Sequence, residues 1–409
     1  MNTRLAILVC VLFSLITGAP AGAQQSQTLT LAEAIDRAEK ENLDLRAARA
    51  QRAVTLAGIR IAEKLPNPTI FFSVARDTPH ESLFMDQPIE IGGRREKRID
   101  VAKQEGALTD FSITAAERHV RREVRVAYFT LAFARRVTAH KLETARLAAR
   151  LKDIAQARYE SGDIPQLEVT QAELEVSRGN VEAQVAKREE EIALSKLNVL
   201  LNAPISTSWD LATPLDAFPQ PAGLESLSGR ATDSNAEIAR LLQETKAAQS
   251  RMGLLKAERI PNLGLEFGVD FNSPGPGGFH EGARGQISME LPIYSRNQGE
   301  IAQSSATLEA LKQETAAKRR AVAGEVETAY YQLRAREAEV SLYKQTLVPA
   351  TRQLEELTEE SYKSGKANIL IVLGAQRDVQ NIESEYLNSL LAMQTSVADL
   401  EETTGVPLD

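Results

Sequence analysis

The chain is written twice, and each copy sets a short alternating hairpin between long helical stretches. Ala62-Glu63-Lys64-Leu65-Pro66-Asn67 returns as Ala257-Glu258-Arg259-Ile260-Pro261-Asn262. Ala127-Tyr128-Phe129-Thr130-Leu131 returns as Ala329-Tyr330-Tyr331-Gln332-Leu333. Further on, Tyr159-Glu160-Ser161-Gly162 returns as Tyr362-Lys363-Ser364-Gly365, and Ala203-Pro204-Ile205 as Val406-Pro407-Leu408. The spacing grows from 195 residues at the first block to 203 at the last, and the slip falls in the hairpin region. A repeat of this kind constrains the fold more than any single element does. It divides the chain into a first copy over 24–205, a proline-rich linker over 206–231 and a second copy over 232–409.

Each copy reads helix, hairpin, very long helix, tight turn, helix. The stretch 31–64 is rich in Ala, Glu, Arg and Leu, with Gly58 its only internal breaker. The stretch 93–160 is interrupted only by Gly106, and at ~1.5 Å per residue it would reach on the order of 100 Å. Leu147, Leu151 and Ile154 recur at coiled-coil spacing among Ala145, Ala148, Ala149 and Ala155, small residues that let helices approach closely. In the second copy 299–362 plays the same part, with Pro349 predicting a kink. The helices over 31–64 and 165–201 together match the length of 93–160, so two short helices laid end to end could flank one long one. Helices alone would equally suit a filamentous coiled coil.

The hairpins, about 68–91 and 262–293, decide between these. Leu263, Leu265, Phe267, Val269 and Phe271 alternate with Gly264, Glu266, Gly268, Asp270 and Asn272. After a Gly/Pro loop over 273–282, Ile287, Met289, Leu291 and Ile293 alternate with Gln286, Ser288, Glu290 and Pro292. The first copy offers Ile70, Phe72 and Val74, then Leu83, Met85, Ile89 and Ile91 opposite Asp86 and Glu90. Period two over ~10 residues marks strands with one apolar and one polar face, long enough to cross a bilayer when tilted. A soluble half-buried sheet alternates in the same way, but nothing else in the chain could cover it. Closed membrane barrels begin at about eight strands, and open edges in lipid leave backbone groups unpaired. The subunit must pool its four strands with copies of itself, as a dimer of eight or a trimer of twelve. Asp86, Glu90, Glu266, Asp270 and Glu290 would then face the lumen and favour cations.

Residues 1–23 read as a cleaved signal peptide: Arg4, an apolar run from Leu5 to Ile16, then Ala21-Gly22-Ala23. The apolar run is shorter than a spanning helix needs. Cys10, the only cysteine, falls in that segment, so the mature chain has no thiol for disulfides or metal ligation. Removing Arg4 leaves 47 basic against 56 acidic residues, a net charge of −9, which is unsuited to nucleic acid. The one basic cluster, Arg94-Arg95-Glu96-Lys97-Arg98, reads as a solvated helix start. No nucleophile elbow, His-Glu-x-x-His, phosphate loop or paired-cysteine motif occurs, so no enzyme, cofactor or metal site is expected. His119 and His140 fall on helices, and His80 and His280 in outer loops.

The sequence resembles the TolC-like outer membrane efflux family across essentially the whole mature chain. Carrying segments are Leu65-Pro66-Asn67-Pro68 and Gln87-Pro88-Ile89-Glu90-Ile91-Gly92-Gly93-Arg94-Arg95 in the first copy. Leu291-Pro292-Ile293-Tyr294-Ser295-Arg296-Asn297-Gln298-Gly299 and Ala375-Gln376-Arg377 carry it in the second. The wording of the first two is most similar to the heavy-metal branch, whose CzcC-like members serve cobalt, zinc, cadmium or nickel export. The resemblance implies a mostly α fold with a small β part: a long α-helical coiled-coil barrel plus four membrane strands per subunit, twelve in the trimer. It implies an outer-membrane location with a long periplasmic portion, and passive conduction. The partners it implies are a resistance-nodulation-division pump in the inner membrane and a periplasmic adaptor. The turns Ser161-Gly162-Asp163 and Ser364-Gly365-Lys366 would be the periplasmic tip that meets the adaptor. Family members often carry aspartates just past the second tip; Ile371 and Gly374 stand there instead, with Glu168 the equivalent of Ile371 in the first copy. An apolar gate from Leu370, Ile371 and Leu373 is one reading, and plain coiled-coil core is another. Organic toxicants or type I protein secretion are alternative duties for such a duct. A periplasmic coiled-coil structural or adaptor protein is a different class, opposed by the hairpins and by the lack of a lipoyl-like β-rich domain.

Overall fold

The computed structural model describes residues 27–77, 79–275 and 278–408; the segment read as a signal peptide lies outside them. The first copy contributes β1 (Gln27–Leu29), α1 (Leu31–Glu41), α2 (Leu43–Ala62), β2 (Thr69–Val74), β3 (Glu81–Ile89), α3 (Arg94–Glu160) and α4 (Gln166–Leu200). Then come β4 (Trp209–Leu211), α5 (Leu224–Ser234), α6 (Ala236–Ala257), β5 (Leu263–Gly275) and β6 (Gly278–Met289). The chain ends with α7 (Gln298–Leu342), a π-helical turn (Tyr343–Leu347), α8 (Val348–Lys363) and α9 (Ile369–Thr404). Among the described residues no helix is long and apolar enough to cross a membrane.

The helix expected over 31–64 is two helices. Asn42 leaves the helical region (φ −58°, ψ 129°), and its side-chain oxygen accepts from the Leu45 N–H at 3.0 Å, starting α2 afresh. An asparagine that caps is a weaker sequence signal than glycine or proline, so the break is easily missed. The second copy does the same with Asn235, which accepts from the Glu237 and Ile238 N–H groups. The stretch 206–231 is more than a linker: it holds β4, paired in parallel with β1, and most of α5.

The end-to-end arrangement inferred from helix lengths is present. Gly106 on the first half of α3 lies against Thr55 and Ile59 of α2, and Gly179 of α4 against Ala145 on the second half. Where α4 ends and α2 begins, the Asn42 amide donates to the Leu200 carbonyl at 3.1 Å and Arg37 Nε to the Leu201 carbonyl at 3.3 Å. Where a kink was expected at Pro349, a π-helical turn ends two residues before it. Proline has no N–H to offer the Gln345 carbonyl, and a widened turn accommodates that loss.

Two cores hold the helices. The larger gathers Leu45, Tyr128, Phe129, Leu197, Trp209, Leu227, Val326 and Leu390 where the two copies meet β1 and β4. The smaller lies at the far end of the helical hairpins, with Leu151, Ile164, Val169, Tyr362, Ile369, Val372 and Leu373. At the opposite end stands a four-stranded antiparallel sheet in the order β2-β3-β5-β6, so β3 and β5 join the two copies. Its strands run further into the second loop than the sequence suggested: 273–275 and 278–282, read as loop, belong to β5 and β6.

Candidate functional site

Strand register sorts the sheet into two faces. Ile70 lies opposite Met85, Met85 opposite Phe267, and Leu83 between Phe72 and Val269. Leu265 opposite Ile287 and Leu263 opposite Met289 continue the same face onto β6. Apart from the half-buried Leu263 and Leu265, these side chains are exposed, Ile70 by 69% and Ile287 by 72%, where a soluble sheet would bury them. No strand pairs with the outer edge of β2 or of β6 among the described residues. An apolar face without cover and two open edges are unstable in water.

The opposite face is polar. Asp86 lies directly across from Glu266, and Asp270 from Ser82, whose hydroxyl donates to it at 2.7 Å. Like charges directly opposite destabilise a pair of strands, so Asp86 and Glu266 persist against local stability. One oxygen of Asp86 is enclosed with no hydrogen-bond partner. The other two acids expected here stand elsewhere. Glu290 is exposed one residue beyond β6. Glu90 follows β3, and its carboxylate is gripped by Arg98, with one contact of 3.0 Å from Arg98 Nη2 to Oε2.

That pair corrects the reading of the basic cluster as a solvated helix start. Arg94 donates to the carbonyls of Glu258 and Ile260 just past α6. Arg95 donates to Glu63, and Arg98 to Ala62 and Lys64, at the end of α2. Three guanidinium groups thus cap the C-terminal ends of both helices that enter the sheet, where cations meet the negative end of the helix dipole. Gly92 (φ +72°) allows the crossing, because a Cβ there would sit 2.6 Å from the Ile260 side chain. Only the tertiary fold brings these carbonyls together, so the sequence carries no signal for them.

The two expected tips lie side by side. Gly162 (φ +83°) and Gly365 (φ +71°) turn the hairpins, while Ser161, Asp163, Ser364 and Lys366 surround them at the surface. Arg158, one turn before the first tip, donates to the Tyr362 carbonyl at 3.2 Å and stacks 5.0 Å from its ring centroid. Tyr362 is fully buried, its hydroxyl has no partner, and burial beside Glu168 raises its pKa. Glu168 likewise has one enclosed oxygen without a partner. Leu370 and Ile371 are exposed, Gly374 faces open space, and Leu373 is buried in the tip core.

A further feature escaped the sequence reading. Leu167, Leu174, Val181, Val185, Ile192 and Val199 form an exposed apolar stripe along α4. Their counterparts 203 residues later on α9 are Leu370, Arg377, Ser384, Asn388, Thr395 and Glu402. The repeat keeps its helix there and discards all but one apolar residue, a signal visible only when the two copies are aligned. Among the described residues no group of His, Cys, Asp and Glu side chains is placed to hold a metal ion.

Residues 34–203 and 227–406 match the family described as outer membrane efflux protein. The chain belongs to that family. Its curated relatives include the cobalt-zinc-cadmium resistance protein CzcC of Cupriavidus metallidurans, 26% identical over 384 residues that span 92% of this chain and 90% of that protein. The nickel-cobalt-cadmium resistance protein NccC of Alcaligenes xylosoxydans is 26% identical over 65% of this chain and 60% of its own length. The fold is shared with a membrane protein from Pseudomonas aeruginosa (TM-score 0.76, 19% identity, 92% of each chain). It is shared also with CusC (TM-score 0.76, 18% identity, 99% of each chain). VceC, an outer membrane protein of Vibrio cholerae, matches at TM-score 0.74 and 15% identity over 93% of this chain and 97% of that one. This outer membrane efflux protein is accordingly TolC-like, of mostly helical build with a small sheet, from a family of transport proteins rather than enzymes.

Proposed function

We propose that three copies pool their strands into a twelve-stranded barrel in the outer membrane, continued by a helical tunnel that spans the periplasm. The reading rests on the sheet: an exposed apolar face suits lipid, and open edges on β2 and β6 suit pairing with neighbouring copies. The apolar stripe on α4 would be covered by the adjacent copy, while its polar counterpart on α9 would stay in water. Export to this site would use residues 1–23 as a cleaved leader.

The tips around Gly162 and Gly365 would meet a periplasmic adaptor, which couples the duct to a resistance-nodulation-division pump that supplies the energy. Leu370, Ile371, Gly374 and Glu168 would line the closure at this end. Asp86, Glu266 and Asp270 would give the barrel lumen its preference for cations. Divalent metals are the proposed cargo, because CzcC and NccC are named for resistance to cobalt, zinc, cadmium and nickel. Growth of a deletion strain on those four metals and on organic toxicants tests this. Sensitivity confined to the metals is expected; sensitivity confined to organic compounds would reject the cargo.

A further inference from the structure

One rung of the sheet differs from its neighbours. Register places Phe71, Phe84, Gly268 and Arg284 side by side on the polar face. The rung on the turn side is Ser73, Ser82, Asp270 and Gly282, and the rung on the helix side is Thr69, Asp86, Glu266 and Gln286. An aromatic and cationic row thus lies between two acidic ones. Arg284 is the only Arg or Lys on this face among the described residues of the four strands.

The row is built, not incidental. A Cβ at position 268 would lie 2.2 Å from the Phe84 ring and 2.4 Å from the Leu83 carbonyl oxygen, so glycine is what lets the ring lie across β5. On the far side the Arg284 guanidinium stands 4.8 Å from the Phe84 ring centroid, and its Nη2 donates to Gln286 at 3.2 Å. Asp270 and Glu266 are the diagonal neighbours of Arg284, while the side-chain contacts of Arg284 are with the Phe84 ring and Gln286. The Arg284 charge thus rests over the Phe84 ring, and both signs share one wall.

We propose that Arg284 is the charge-discriminating residue of the barrel interior, a positive collar between two acidic rungs, and that Phe84 is its positioning residue. This rests on the duct reading, which turns the polar face toward a lumen. Closing three copies would repeat Arg284 three times around the wall, and rings of like charge set which ions pass. The collar raises the barrier to small cations crossing that row in either direction, while the acidic rungs on either side hold cations locally.

The test uses the full chain with Cys10→Ala, since Cys10 is the only thiol in the sequence. Thr69→Cys reports from the helix side of the collar and Ser73→Cys from the turn side. Intact cells are treated with a cationic and an anionic methanethiosulfonate of similar size. With Arg284→Gln, the cationic reagent is expected to modify the thiol at position 69 about threefold faster and the anionic one more slowly. Arg284→Lys keeps the original rates, whereas Phe84→Leu moves them toward those of Arg284→Gln. Unchanged rates at position 69 in Arg284→Gln would overturn the proposal. So would equal acceleration of both reagents, which signals loosened packing instead of altered charge. Should the thiols at positions 69 and 73 both react in detergent and neither on intact cells, the duct reading itself falls, and the collar with it.

Discussion

Asn42 caps α2 with its side-chain oxygen and ties down α4 with its side-chain nitrogen, which reaches the Leu200 carbonyl at 3.1 Å. One buried amide thus fixes where three helices meet. Asn42→Ala removes both bonds and should lower stability by about 2 kcal/mol. Asn42→Asp keeps the cap, yet turns a carboxylate oxygen toward a carbonyl, and should remain destabilised. Thermal unfolding followed by helical circular dichroism checks both.

Among the described residues, Arg98 is the only ion-pair partner of the nearly buried Glu90 carboxylate. Arg98→Met strands that carboxylate and uncaps α2, at a cost of about 3 kcal/mol. Adding Glu90→Gln should recover much of the loss, because the uncompensated charge disappears. The comparison of single and double variants by denaturant unfolding measures the coupling.

Tyr362 buries a hydroxyl that bonds to nothing, while its ring packs against Arg158. Tyr362→Phe should therefore be neutral or stabilising by about 1 kcal/mol. Arg158→Ala removes the link between the tips and should speed proteolysis at 158–166 and 361–368. Limited digestion of the two variants side by side separates these outcomes.

His140 predicts a pH dependence. Burial lowers its pKa, against the pull of Glu383 and Glu143 and with that of Lys141 and Arg352, and Nε2 has no partner. The unfolded chain binds a proton near the ordinary value of 6.5. Stability from this group is full above that value and is lost as pH falls toward the lower folded value. Glu355 works in the opposite sense: burial, Glu359, Glu143 and Glu356 raise its pKa while Arg352 opposes them. Its contribution is full below 4.5 and fades as pH rises through the raised value. His140→Gln should flatten the fall in thermal midpoint as pH drops below 6.5, and Glu355→Gln should remove the stability gained as pH falls toward 4.5.

The repeat, the long helices and the two-faced sheet were legible because each depends on periodicity within a short window. Leu263 to Phe271 alternates regardless of what surrounds it, and the tips announce themselves through Gly162 and Gly365. The sheet-to-helix joint was not legible, since Arg94, Arg95 and Arg98 bind carbonyls that lie up to 166 residues away. Alternation assigned Glu90 a face, whereas it stands one residue past β3 with its carboxylate paired to Arg98. The α4 stripe could have been found by comparing the copies, where apolar residues become Arg377, Ser384 and Asn388.

Four strands with two open edges do not close a barrel, and the proposed trimer would complete it in the outer membrane. Cell fractionation followed by mass measurement of the detergent-extracted particle addresses it most directly. Outer-membrane recovery and a protein mass of three chains are expected. A soluble monomer in the periplasmic fraction would contradict it.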